Sequence, residues 1–328
     1  MDINDKAIFV ISLDFELYWG VSESRMLAEY EENLINVPIV IKELLSLFNE
    51  YNLHVTWATV GFLFHEEKEE MGSLVSESNR PVYSNINLNN YNLIKNIGKN
   101  ELEDPFHYAH KIIQEIKSLS YQEVATHTYS HYYCLEDGQN PSNFEMDLKA
   151  AIYIGKKSGI EFSSIVFPRN QYNEATLEIC YNNGINAYRG TENHWIYNTR
   201  SRKDETKIRR LFRLLDTYFN ITPKKSYKIE NIANKIINIP SSRFLRPYNT
   251  NLSFLEPMRL NRIKYEMNIA AKNKEVYHLW WHPHNFGKNL SENIKFLKNV
   301  LDHFAYLRAT DKMISLNMKE ISECMKIK

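Results

Sequence analysis

Four short segments of this 328-residue chain carry side chains capable of acid–base or metal chemistry. In SLDFE, Asp14 and Glu16 stand two residues apart at the end of an apolar run. In an extended chain that spacing points both carboxylates the same way. Burying two of them is costly unless a charge or a metal compensates. In THTYSH, His127 and His131 lie four apart. If the segment turns helical there, both imidazoles share one face and can hold one metal ion. In VFPRNQYN, Arg169 and Asn170 follow Pro168 and could bind substrate hydroxyls or orient a carboxylate, although an ordinary strand-to-helix turn reads the same way. In YHLWWHPHNF, His282 closes a strand, and an imidazole with a pKa near working pH suits general acid or base duty. Trp280 and Trp281 have faces suited to stacking on sugar rings, but strand alternation sends at least one of them into the core.

Together these residues make a hydrolytic set. Glu16, His127 and His131 offer two nitrogens and one oxygen and leave a coordination position for water, the pattern of an open zinc site. Such an ion acidifies its water and polarises an amide carbonyl. Asp14 would take the water's proton, and the oxyanion would rest against the metal and a backbone N–H. His282, from the opposite side, would protonate the departing amine. The expected cofactor is a divalent ion, zinc by ligand type; cobalt and nickel also suit this donor set.

For the segments to meet, each must leave the carboxyl end of a strand, where α/β folds gather their sites. The pattern supplies the strands. Residues 7–13 form a short apolar run, 36–51 carry apolar residues at helical spacing, and the β-branched, aromatic stretch 53–62 follows. Residues 65–103 are a polar, Asn-rich excursion with room for one short helix. Asp104 and Pro105 then read as N-cap and first residue of a helix to about 118. Strand 122–126 comes next, and Ser142 with Glu145 reads as a capping box for a helix stopping at Gly159. Strand 163–167, a helix at 173–183 closed by Gly184, and strand 185–190 follow. Residues 200–255 are irregular, with a strand placeable in IINIPSSRF. The last elements are helix 256–273, strand 276–281, helix 291–307, strand 312–316 and a helix capped by Asn317. Such alternation predicts a parallel sheet with helices outside. About seven strands suit a barrel as well as an open sheet. With neither repeats nor a flexible linker, one domain over 1–328 is expected.

Composition bounds the function. A 43% hydrophobic chain can bury a large core. Formal net charge is zero, so no global field draws it to nucleic acid or an anionic membrane. Three scattered cysteines without a C-x-x-C pair argue against disulfides or a thiolate zinc site. Asp2 and Asp5 stand where a signal peptide would be basic, and no stretch is apolar enough to span a bilayer, so a soluble cytoplasmic protein is expected. A basic cluster from Arg200 to Arg213, with Asp204 and Glu205, reads first as a solvated surface and second as a contact for the phosphates of a nucleotide- or lipid-linked sugar.

These segments, in this order, resemble the polysaccharide deacetylases (the NodB-homology group, carbohydrate esterase family 4). SLDFE is similar to the family's T-F-D-D-G, His127 to His131 to its H-x-x-S-H, and Leu279 to His282 to its late L-x-H with one extra residue. WATVGF is similar to its A-T-F-F-V-x-G strand. The resemblance implies a distorted (β/α)7 barrel, Asp14 as base, His127 and His131 as metal ligands, His282 as acid, and Ser130 as a support of the histidine loop. Phe15 stands where the family has its second Asp, and a branch of the family with an acidic residue two after the base implies Glu16 in its place. Pro168 precedes Arg169, whereas the family's R-x-P has Arg first, and Glu192 to Trp195 matches D-x-x-D-W only loosely. Substrate contacts are expected from Trp19, Arg169, Asn170, Trp195 and Trp281. The resemblance implies a metal-dependent carbohydrate N-deacetylase of the O-antigen- or capsule-associated branch. Its alternatives are action on a formamide or cyclic ureide, or a sugar-binding relative without catalysis.

Overall fold

The first apolar run becomes β1 (Ile8–Phe15), with all eight residues buried, as a central parallel strand covered on both faces requires. This computed structural model describes residues 3, 5–222, 225–230 and 235–326. Helices α1 (Leu27–Ile35) and α2 (Val37–Glu50) follow, with Pro38 in the first turn of α2. Then come β2 (Val55–Thr59), a one-turn α3 (Lys68–Met71), α4 (His110–Ser118), β3 (Gln122–Thr126), α5 (Pro141–Lys157) and β4 (Ser164–Ile165). The chain continues through α6 (Glu174–Asn182), β5 (Ala187–Tyr188), α7 (Lys207–Tyr218), β6 (Ile237–Asn238) and β7 (Arg243–Phe244). It ends with α8 (Glu256–Asn273), β8 (Val276–Trp281), α9 (Leu290–Asp311), β9 (Ile314–Ser315) and α10 (Met318–Lys326).

The sheet order is β6-β5-β4-β3-β2-β1-β8-β7, with β9 added beside β1. Every pair is parallel. The order is cyclic in sequence, so the sheet curls into the expected distorted barrel, with no pairing between β6 and β7 among the described residues. The strand placed in IINIPSSRF is two strands, because Pro240 breaks the run and the two halves pair with opposite edges, β5 and β8.

Strand parity sorts the residues. Phe9, Ile11, Leu13 and Phe15 pack outward with α2 and α9 in the main core. Ile8 and Val10 face inward, where they meet Val166, Ile237 and Val276 over Met318, Ile321 and Met325 of α10, which closes the floor. Ser12 and Asp14 continue this inward row upward, so the barrel interior turns from apolar to polar toward the carboxyl ends of the strands.

Several elements end where their local signals place them, and others do not. Gly159 and Gly184 have positive φ, and the following N–H groups reach back to Gly155 and Cys180. Asn317 caps α10 by accepting the Glu320 N–H at 2.9 Å. The helix expected from Asp104 begins only at His110. Asp104 instead accepts the N–H groups of Gly98 and Phe106 and bonds His107, which uses its carboxylate to build a turn. The cap of α5 is Asn140, not Ser142, since its side chain accepts the Asn143 N–H and Pro141 takes the first helical position. Helix α1 had no counterpart in the sequence pattern; Leu34 is its one buried residue.

Candidate active site

The inward row of β1 places Asp14 at the barrel mouth, and Glu16 follows it just past the strand. Leu17 has φ 46°, and this left-handed step turns the chain so that Glu16 stays over the mouth. Gly20 is required beneath it, because a Cβ there would fall inside the Glu16 carboxyl group.

His127 and His131 leave the end of β3, but not on a helix as expected. The segment is a loop in which Thr128 and His131 take φ values of 64° and 60°. A β-branched residue in that region is strained and persists only where neighbours fix it. Here they do. The Thr128 hydroxyl accepts the Tyr132 N–H at 2.7 Å, and Gly61 and Phe62 donate to the carbonyls of Thr128 and Tyr129. Gly61 permits that approach, since a Cβ would meet the Tyr129 backbone at 2.7 Å. Asp147 on α5 accepts the N–H groups of Tyr129 (2.7 Å) and Ser130 (3.1 Å) and the Ser130 hydroxyl. Burial pushes the Asp147 carboxyl up to about 6 against these donors, with Ser130 the strongest of them.

One ligand atom from each of Glu16, His127 and His131 lies within 4.8 Å of the others, and all three residues are buried. The Glu16 Oε2 is 3.3 Å from His127 Nε2 and 3.0 Å from His131 Nε2. His127 Nδ1 bonds the Val166 carbonyl at 2.7 Å, which fixes its proton there and turns the Nε2 lone pair toward Glu16. Two imidazole nitrogens and a carboxylate oxygen converging in a buried site fit a divalent ion, zinc among them. Burial pushes the Glu16 carboxyl up, but His282, His127 and His131 hold it well below the usual carboxylate range. Burial lowers His131 from its ordinary value despite Glu16, a shift toward the neutral imidazole that ligation needs.

Asp14 is outside this trio. Arg189, from the end of β5, grips it with Nη1 to Oδ1 at 2.6 Å and Nη2 to Oδ2 at 2.8 Å. Burial favours a neutral Asp14, but Arg189, then His127 and His282, keep its pKa below the ordinary value. Asn170 accepts from the same guanidinium at 2.9 Å, and Ser12 accepts at 3.0 Å. Beneath them His278 accepts the Ser12 hydroxyl at 2.8 Å and donates to the Ile239 carbonyl. Arg189 was not singled out in the sequence; the signal was an arginine closing the apolar strand INAYRG. Arg169 takes no part in holding Asp14. It pairs with Glu23 and Glu136 and lies over the Tyr133 ring.

His282 faces both acids, with Nε2 3.7 Å from Asp14 Oδ2 and 3.5 Å from Glu16 Oε1. Its Nδ1 is 3.3 Å from the Asn285 amide nitrogen, whose orientation is set by Tyr30 donating to the Asn285 oxygen at 3.0 Å. The proton of neutral His282 therefore sits on Nε2, toward the acids. His284, also unforeseen, stacks on His282 and is lowered to about 3 by burial and by His282.

The tryptophans divide by parity and loop position. Trp281 is fully buried between Phe48 and Phe286, so it does not meet a substrate; the inward Trp280 does line the cavity beside His282. Trp19 is also fully buried, donating to the His107 carbonyl and packed against Phe62, which corrects its expected substrate role. Trp195 is half exposed and packs edge-on against Phe212.

Comparison of whole folds places this architecture among known structures. It superposes on a protein described as a polysaccharide deacetylase from Mycobacterium smegmatis with a TM-score of 0.62 and 13% identity, covering 98% of this chain and 91% of the other. A protein described as a polysaccharide deacetylase from Pseudomonas aeruginosa PAO1 gives 0.59 at 11% identity, covering 99% and 92%. The PuuE allantoinase gives 0.58 at 10% identity, covering 98% and 91%. At these identities the likeness establishes the fold, a (β/α) barrel of the kind found in polysaccharide deacetylases. No protein-family model matches the sequence, and no curated protein matches it. Among the described residues no helix is long and apolar enough to cross a membrane.

Proposed function

We propose that this chain is a metal-dependent hydrolase that removes the acetyl group from an N-acetylated sugar of a glycan or glycan precursor. The observation that carries this reading is the convergence of two imidazoles, His127 and His131, on Glu16, with a separate His282 facing both Glu16 and Asp14. A divalent ion held by Glu16, His127 and His131 would supply Lewis acidity toward an acyl carbonyl and would make a water more acidic. The protein's own groups do the rest. Asp14, held ionised by Arg189, accepts a proton at Oδ2, the oxygen that faces His282. Arg189, clamped by Asn170 and Ser12, fixes the plane of that carboxylate. As the imidazolium, His282 delivers its Nε2 proton to the departing nitrogen and is left as neutral imidazole. Ser130 and Asp147 hold the histidine loop in register.

A second reading is hydrolysis of a cyclic ureide, favoured by the likeness to an allantoinase. The test assays zinc-loaded protein on a panel of N-acetylated sugars and on allantoin. Acetate release is expected, reduced about 10²- to 10⁴-fold in Asp14→Asn, with zinc stoichiometry unchanged. Ring opening of allantoin without acetate selects the second reading. Neither product, with zinc bound, overturns both.

A further inference from the structure

Helix α7 is built inside out. Its polar residues Arg209 and Asp216 are buried, and Arg213 is half-buried beside them. Arg209 donates to the carbonyls of Trp195 and Asn198, and Arg213 to that of Ile196. Asp216 meets Lys225 and Arg262. With the polar face so tied down, the apolar face has nowhere to go but outward. Ile208 is 65% exposed, Leu211 53%, Phe212 37% and Leu215 36%, a stripe at helical spacing. Trp195, 52% exposed, lies against Phe212 and widens it. Contiguous exposed apolar surface of this kind marks a contact with something else.

The surroundings of the stripe say what that is. Arg200, just before it, and Lys207 and Arg210 on it are exposed without a carboxylate partner among the described residues, whereas the exposed Arg202 and Lys203 pair with Glu23 and Asp137. Apolar side chains with Trp and Phe, rimmed by basic ones, are the composition that seats a helix in an anionic membrane interface. The zero net charge of the whole chain hides this local excess.

The same helix forms one wall of a cavity of about 510 Å³ that reaches Trp280 and His282. Seven arginines and three glutamates line it. Arg243 is committed to Glu266, Arg169 and Arg202 to Glu23, and Arg213 to Glu205. Among the described residues Arg200, Arg210 and Arg246 have no carboxylate partner. Arg246 is half-buried, and its hydrogen bond to Thr217 at 2.8 Å leaves the charge uncompensated. Phe244 bridges it to the catalytic end: its ring lies 5.8 Å from that of His282 and 5.9 Å from the Arg246 guanidinium carbon. An anionic group carried across the Phe244 ring from the scissile amide would therefore meet Arg246, in a cavity that Arg200 and Arg210 also line.

We propose that α7 docks the protein on an anionic bilayer, so that the arginine-lined cavity beside His282 receives the diphosphate of a lipid-linked sugar. The sugar's amide then reaches Asp14 and His282 while its lipid stays in the membrane. The docking stands on α7 and the cavity alone; the identity of the reaction rests on the deacetylase reading.

The experiment is co-sedimentation of the zinc-loaded full chain with phosphatidylcholine vesicles, with and without phosphatidylglycerol. The wild type is expected to pellet with phosphatidylglycerol vesicles, in a salt-sensitive manner. Leu211→Ser/Phe212→Ser/Leu215→Ser and, separately, Arg200→Glu/Arg210→Glu are expected to bind at least ten-fold more weakly. Circular dichroism and zinc stoichiometry should match the wild type for both; the second variant, confined to exposed side chains, keeps the test valid if the first misfolds. Absence of vesicle binding overturns the proposal. So does a wild-type dimer dissolved by the triple substitution, because the stripe would then belong to a second copy. A second arm compares acetate release from N-acetylglucosaminyl diphosphate on a polyprenol in those vesicles with release from uridine diphosphate N-acetylglucosamine in solution. Faster release from the vesicle substrate is expected, and faster release from the nucleotide overturns the lipid source. Vesicle binding without acetate from either substrate sinks the deacetylase reading and leaves the docking in place.

Discussion

Arg189 is the residue on which the chemistry of Asp14 depends. Burial drives the Asp14 carboxyl toward its neutral form, which cannot take a proton, and Arg189 is the largest influence against it. Removing one member of a buried ion pair typically costs about 3–5 kcal/mol. Arg189→Met is therefore expected to lower stability by that order, read from the urea midpoint. It also has an effect no purely structural role would give. Because Arg189 lowers the Asp14 pKa, its loss raises it, and the acidic limb of the pH dependence of kcat/KM should move to higher pH. An unmoved limb, in a variant that still folds, would remove Asp14 from the role of base.

Among the elements, the turn after β1 and the loop after β3 bring Glu16, His127 and His131 together. Glu16 lies over Gly20, and the space it fills is the space a Cβ would need. Gly20→Ala should displace the Glu16 carboxylate and weaken zinc binding at least ten-fold, while the melting temperature of the metal-free protein stays close to the wild type. Equal zinc affinity would mean that Glu16 is not a ligand. The histidine loop is steadied from a different side by His65, which follows β2 and bonds the Tyr129 hydroxyl at 2.8 Å. Burial lowers the His65 pKa to about 4, against an ordinary value of 6.5. The unfolded chain therefore binds more protons between those values, so this contribution to stability is complete above pH 6.5 and is lost as pH falls toward 4. The shift is worth about 3 kcal/mol. His65→Gln should flatten the fall of the urea midpoint between pH 6.5 and 4.5 by that order, and a fall as steep as that of the wild type would refute it.

For the molecule as a whole, two kinds of packing are joined. The barrel and its outer helices are held by apolar burial along β1, β2, β3 and β8. Around α7 and α8 charge is added to this. Asp216 is shared by Lys225 and Arg262, and Glu266 by Arg243 and Arg262, almost all of it out of contact with water. Buried pairs of this kind add little net stability over apolar packing, but breaking one leaves an unpaired charge, so they fix geometry. What they fix is the cavity wall and the outward stripe of α7.

The amino-acid sequence by itself determined the alternation of strands and helices, the parallel sheet, and the placing of Asp14, Glu16, His127, His131 and His282 at strand ends, because apolar period and strand-end chemistry are local; strand pairing decided for a barrel over an open sheet. Tertiary structure alone decided the rest. Arg189 reaches Asp14 from a strand four places away in the sheet, and no spacing in the sequence announces it. Trp281 rather than Trp280 went into the core because inward parity on β8 is set by pairing with β1. The histidines converge through left-handed residues that only Gly61, Asp147 and Tyr132 can hold in place. And α7 shows its apolar face outward because its partners are carbonyls and charges contributed from elsewhere, which a period of 3.6 cannot reveal.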